Sequence, residues 1–267
     1  SLALRLGHLV GPPMIGLSWD IGGAWWAFSV MSLWASLGFF SALALPVENK
    51  RHQEVRKISI SNMVPRSSDY IAAFKMLTIS AVLFVVFITM MRNAGNVVQT
   101  GFYVVYLDEV VGLSGTLIGI LTSMAAIAGG IGSLSVGFLA RVSSPHWLLL
   151  ATVMGSVICI CITPVLGTFV FFAVAITLRG AFLGVSQPLM ISILAKASDL
   201  RVQGTSVGLR NTANRLTGFL VPLLMGVLID FFGLAKGFYA IGIIVFTMLF
   251  VSGFWLSRQK DIAGGKQ

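Results

Sequence analysis

A chain of 267 residues with 57% hydrophobic and only 10% charged residues has too little polar surface to cover a water-soluble domain. Its mean hydropathy of +0.93 makes the bilayer the solvent. The net charge of +9 would suit nucleic acid, but the basic residues lie in alternate joints between apolar runs, so they mark membrane topology instead.

A span needs about 20 mainly apolar residues, and only helices satisfy their backbone at that length. Eight such runs are predicted, at about 1–19, 24–46, 76–107, 114–139, 146–165, 168–194, 204–229 and 236–257, which gives an all-α polytopic membrane protein. A β-barrel would instead need runs of about ten alternating residues.

The first run holds Gly7, Gly11, Pro12 and Gly16, which suit a helix that bends and packs closely, as a hinge or seal. His8 reads as a packed polar residue or a carrier of a coupling proton. Residues 47–75 read as a basic linker. With alternate joints on opposite sides, Lys50, Arg51, Arg56, Lys57, Arg66, Lys75, Arg141, Lys196, Arg201, Arg258, Lys260 and Lys266 share one side. Asp20, Asp108, Glu109 and Asp230 occupy the other, with Lys236. The positive-inside rule then puts the linker and the 258–267 tail in the cytoplasm.

In the third run Arg92, Asn96, Gln99 and Tyr103 recur at steps of four, three and four and share one helix face. Arginine at membrane depth is costly unless paired or wetted, so this stripe is expected to line a substrate or coupling site that favours a negatively charged partner. The alternative is polar contact between helices. Ala125, Gly129, Ser133 and Gly137 form a small-residue ridge on the fourth run. Cys159 and Cys161 point to different faces of one run and suggest neither disulfide nor metal site. Arg179 stands mid-run with Gly180 and Gly184, a pair that lets helices approach closely, and reads equally as ligand contact or pairing. In the seventh run Asn211, Asn214 and Arg215 share a face, while Arg210 is expected to snorkel toward the headgroups.

At a shift of 210 residues the chain matches itself: Arg5/Arg215, Leu6/Leu216, Pro12/Pro222, Gly16/Gly226, Asp20/Asp230, Gly23/Gly233 and Phe28/Phe238 are identical pairs. Unrelated apolar helices would give about two such pairs. The first run therefore corresponds to the seventh, with six spans per repeat. Residues 1–46 are expected to be the last two helices of an N-terminal bundle whose first spans are missing, and 76–257 a C-terminal six-helix bundle. Such a fragment is not expected to transport by itself.

Two parallel six-helix repeats joined by a cytoplasmic loop resemble the major facilitator superfamily, and this chain would be spans 5 to 12 of its twelve. The segment Gly7-His8-Leu9-Val10-Gly11-Pro12-Pro13-Met14-Ile15-Gly16 is similar to the G-x-x-x-G-P-x-x-G-G signature of drug:proton antiporters, with Leu17 in place of the last glycine. Gly137-Phe138-Leu139-Ala140 fits the start of a second family motif, G-x-L-A-D-R, whose acidic and basic positions hold Arg141 and Val142. The resemblance implies a monomeric secondary transporter in the cell (inner) membrane, exporting a small molecule by alternating access with protons as coupling ion. No cofactor is implied. A transporter-like sensor or channel is the alternative. An enzyme is not expected, for no paired catalytic groups occur at membrane depth.

Overall fold

In a computed structural model the chain is described at residues 2–43, 71, 74–197 and 203–259. The described residues are helical, with no strand among them. Helix α1 covers Leu2–Leu43, α2 Ser80–Val98, α3 Gly115–Val142, α4 Pro145–Cys161, α5 Phe169–Ala197, α6 Gln203–Phe232 and α7 Leu234–Arg258. Two π-helical turns, Gln99–Tyr103 and Tyr106–Val110, extend α2. Six of these helices are long and apolar enough to cross a membrane, and Pro145–Cys161 is a shorter apolar helix. Most of the 47–75 linker and of the C-terminal tail lies outside the described residues, as do Arg201, Lys260 and Lys266.

As a straight rod the 42 residues of α1 would span about 63 Å, twice the hydrocarbon thickness. They do not run straight. Gly23 has φ 69° and ψ −162°, a region open essentially to glycine alone. There the chain doubles back, so that Gly11, Met14 and Ile15 of the first limb line one cavity of about 260 Å³ with Val30, Met31 and Trp34 of the second. Each limb, of about 20 residues, has the length of one pass.

The 210-residue repeat reappears in the backbone. Gly233, partner of Gly23, separates α6 from α7 with φ 80° and ψ 164°. Both joints thus depend on the one residue without a Cβ penalty there.

The main core cluster draws on α2 to α7, with Val82, Phe84, Val85 and Ile88 meeting Leu149, Val153, Phe172, Phe238 and Leu249, and takes no residue from α1. Helix α1 packs instead along α3. Many large apolar side chains face outward, Trp25, Leu134 and Phe231 among them, as they must where lipid is the solvent.

The expected ridge of α3 is present in part. A Cβ on Gly180 would strike the backbone of Ala125, and one on Gly184 the backbone of Gly129, so α3 and α5 touch main chain to main chain. Gly132, against Ala181, completes this seam. Gly137 has open space around it, because the two helices have diverged by that turn.

Candidate functional site

Arg92 stands twelve residues past Ser80 and Arg179 ten past Phe169, about 18 and 15 Å along their helices, so both lie near mid-membrane. Helix α2 presents its polar face to α5. Arg92 Nε donates to Ser186 Oγ at 2.9 Å, and Ser186 Oγ donates in turn to the Leu183 carbonyl at 3.0 Å. One turn further along α2, Asn96 Oδ1 accepts from Arg179 Nη2 at 3.3 Å.

Arg179 is only 1% exposed, and its Nε and Nη1 have no hydrogen-bond partner. It lies within electrostatic reach of Arg92 and of Tyr103, which is buried. Arg92 is half-buried; its Nε is engaged and its terminal nitrogens are left for other partners. Arg210, a turn before the point where α6 meets α2, acts electrostatically on Arg92, and its own buried Nε is unpartnered. Among the described residues no carboxylate pairs with any of the three. An unmatched guanidinium at membrane depth costs about 2.5–3.5 kcal/mol, so an anionic partner here relieves a standing cost.

Of the sequence-predicted stripe, Arg92 and Asn96 bond side chains of α5, and Tyr103 is buried within electrostatic reach of Arg179. Gln99 is half-buried and keeps the register of α2, its backbone N–H donating to the Asn96 and Gly95 carbonyls, and the π-helical turn that begins there shifts the register only for the residues beyond it, Tyr103 included. Asn93, which pattern reasoning passed over, is the residue that reaches α6: its Nδ2 donates to the Asn214 carbonyl at 2.9 Å. Asn214 therefore takes part through its backbone. Asn211 and Arg215 lie on an exposed face of α6. Arg210 does not snorkel free of the bundle; it is half-buried and joins the cationic group.

The glycine-proline segment of α1 divides in two. Gly16 is buried against Gly115, and Pro12 and Pro13 lie on Gly119, so this half touches α3 backbone to backbone. Gly7 and Gly11 have open space and line the cavity between the limbs of α1. The two cysteines are free.

No curated protein matches the chain. The Major Facilitator Superfamily model matches residues 81–266, well over half of the sequence. With its multi-pass helical architecture, the chain belongs to that superfamily and is a secondary transporter of small molecules across a membrane.

Proposed function

We propose that the protein exports a small anionic molecule by proton-coupled alternating access, as one of the twelve-span, drug:proton antiporter-like members of its family. The observation that carries the anionic substrate is the group of Arg92, Arg179 and Arg210, in which Arg92 lies within electrostatic reach of each of the other two and none has a described carboxylate partner. A preformed set of donors in a poorly hydrated setting favours an anion and rejects a cation. Arg92, half-buried and anchored by Ser186, is the member that contacts substrate. Asn96 and Tyr103 supply neutral polar contacts, Asn211, Asn214 and Arg215 extend the polar wall along α6, and Gln99 faces the outer approach.

Export and proton coupling are supported by the likeness of Gly7–Gly16 to the antiporter signature. The cytoplasmic placement of the basic ends is supported by Arg141, Lys196 and Arg258 in the last turns of α3, α5 and α7. The repeat supports reading α1 as the end of one half and α2 to α7 as the other.

The test is flux of labelled mono- and dicarboxylates and sulfonates by the full-length protein in vesicles under an imposed proton gradient. Arg92→Ala abolishes flux without loss of insertion, and Arg92→Lys restores only part, because a point charge does not reproduce the guanidinium fork. Wild-type flux in a correctly inserted Arg92→Ala protein would return the stripe to a packing role. Movement of cations in place of anions would refute the substrate class.

A further inference from the structure

Asp20 ends the first limb of α1, yet its hydrogen bonds go to a helix that begins 95 residues later. Its Oδ1 accepts from the Gly115 N–H at 2.7 Å, and its Oδ2 from both the Thr116 N–H at 2.8 Å and the Thr116 hydroxyl at 2.5 Å. Gly115 and Thr116 open α3, where backbone N–H groups have no partner within the helix and the helix dipole is positive. A carboxylate from another element therefore satisfies the first turn of α3, with Ser114 Oγ accepting from Leu117 N at 3.4 Å beside it.

Below this clasp the two helices close backbone to backbone at their glycines, with one side-chain bond further down. Gly16 lies on Gly115 and Pro12 on Gly119, and Ser123 Oγ donates to the Leu9 carbonyl at 2.6 Å. The glycine contacts are attractive only at touching distance and have no directional element. The Asp20 contacts are directional and charge-assisted, and they sit at the exposed mouth of the seam, where water can replace them as the helices part. Strong when made and readily exchanged with solvent, they have the properties of a reversible fastening.

We propose that Asp20 is the latch of the α1/α3 seam: its carboxylate holds the first turn of α3 shut against the α1 hairpin, and each transport cycle releases and remakes that clasp. The proposal rests on the alternating-access reading, in which α1 and α3 belong to halves that separate on one side of the membrane. Asp20 acts on the position of α3 and makes no contact with the arginine group, so it is a positioning residue.

The experiment uses the full-length protein with Cys159→Ala, Cys161→Ala and Ser123→Cys, which puts one thiol in the closed seam, where Ser123 is 6% exposed. Labelling by a membrane-impermeant maleimide is followed from the side bearing Asp20. Asp20→Ala speeds labelling about fivefold or more, the factor expected for losing one net hydrogen bond. Thr116→Val, which removes only the hydroxyl, speeds it less and in the same direction. Glu109→Gln, an acid on the wall of the adjoining cavity, leaves the rate unchanged. Should Asp20→Ala fail to insert, Thr116→Val decides alone. Unchanged labelling in the inserted variants overturns the latch. Faster labelling in a protein that shows no flux at all keeps the latch and overturns the transport reading instead.

Discussion

Replacing Arg179 by methionine is expected to make the substrate-free protein more stable and the transporter worse. In the free protein its guanidinium is sealed from solvent, with one hydrogen bond of 3.3 Å and two nitrogens unpartnered. Burying that charge costs about 2.5–3.5 kcal/mol at the centre of a span. The single long bond to Asn96 returns about 1 kcal/mol. Methionine fills similar volume without charge, so stability rises by about 1.5–2.5 kcal/mol, visible as a thermal shift of a few degrees.

The same charge acts on a substrate held at Arg92. Asn96 is one turn from Arg92 and Ser186 two turns from Arg179, which puts Arg179 roughly 10 Å from an anion at Arg92. At an effective dielectric of about 20 the attraction is about 1.7 kcal/mol, or somewhat more than tenfold in affinity. Arg179→Met should therefore raise KM about tenfold and shrink the stabilisation that added anion gives the wild type. Thermal melts with and without the transported anion, together with vesicle flux, check both arms. A less stable free protein with unchanged KM would refute the reasoning and make Arg179 a structural residue.

Two further perturbations test the joints and the clasp. Gly23→Ala and Gly233→Ala each force a Cβ into a positive-φ conformation and should lower stability by about 1–3 kcal/mol apiece, read as matched losses of folded yield; a large loss at one and none at the other would refute the equivalence of the joints. The Thr116 hydroxyl, then its N–H, hold the Asp20 carboxyl below the usual carboxylate range. A lowered value means that the clasp is complete above the ordinary carboxylate pKa and is lost as pH falls through the lowered one. Labelling at Ser123→Cys, taken as a ratio to that of a fully exposed cysteine because the reactive thiolate of both falls with pH, should therefore stay flat from neutral pH to about pH 4 and rise only below it; a rise of the ratio near pH 6 would contradict this. Asp108 and Glu109, which line the adjoining cavity, are replaced by amides as the control.

The helices and their joints are legible because apolar length and the repeat encode them locally: Gly23 and Gly233 are a matched pair in the sequence and share a positive φ in the backbone. Arg92 and Asn96 were legible because a four-residue step survives in any regular helix. The setting of Tyr103 was less legible, because the sequence bears no mark of the π-helical turn that separates it from Gln99. Asn93 was missed because it is next to Arg92 and so points some 100° away, toward α6, and periodicity does not say which neighbour stands there. Arg210 looked peripheral by its distance from the helix end, but its surroundings are set by the approach of α6 to α2. The role of Asp20 was the least visible, since its partners are 95 and 96 residues distant.

Helix α3 is pinned along two edges, by Gly16 and Pro12 of α1 and by Gly180 and Gly184 of α5, and at both the contact is backbone on backbone. Side chains usually absorb small displacements by changing rotamer, and at these glycine contacts none stands between the helices to do so. A shift of the first turn of α3 thus passes undamped down the rod, over the nine residues from Thr116 to Ala125, about 14 Å, to the place where Ala125 bears on Gly180. The next residue along α5 is Arg179. Loosening the mouth of the seam and moving Arg179, the most deeply buried charge among the described residues, are, mechanically, one displacement of one stiff lever.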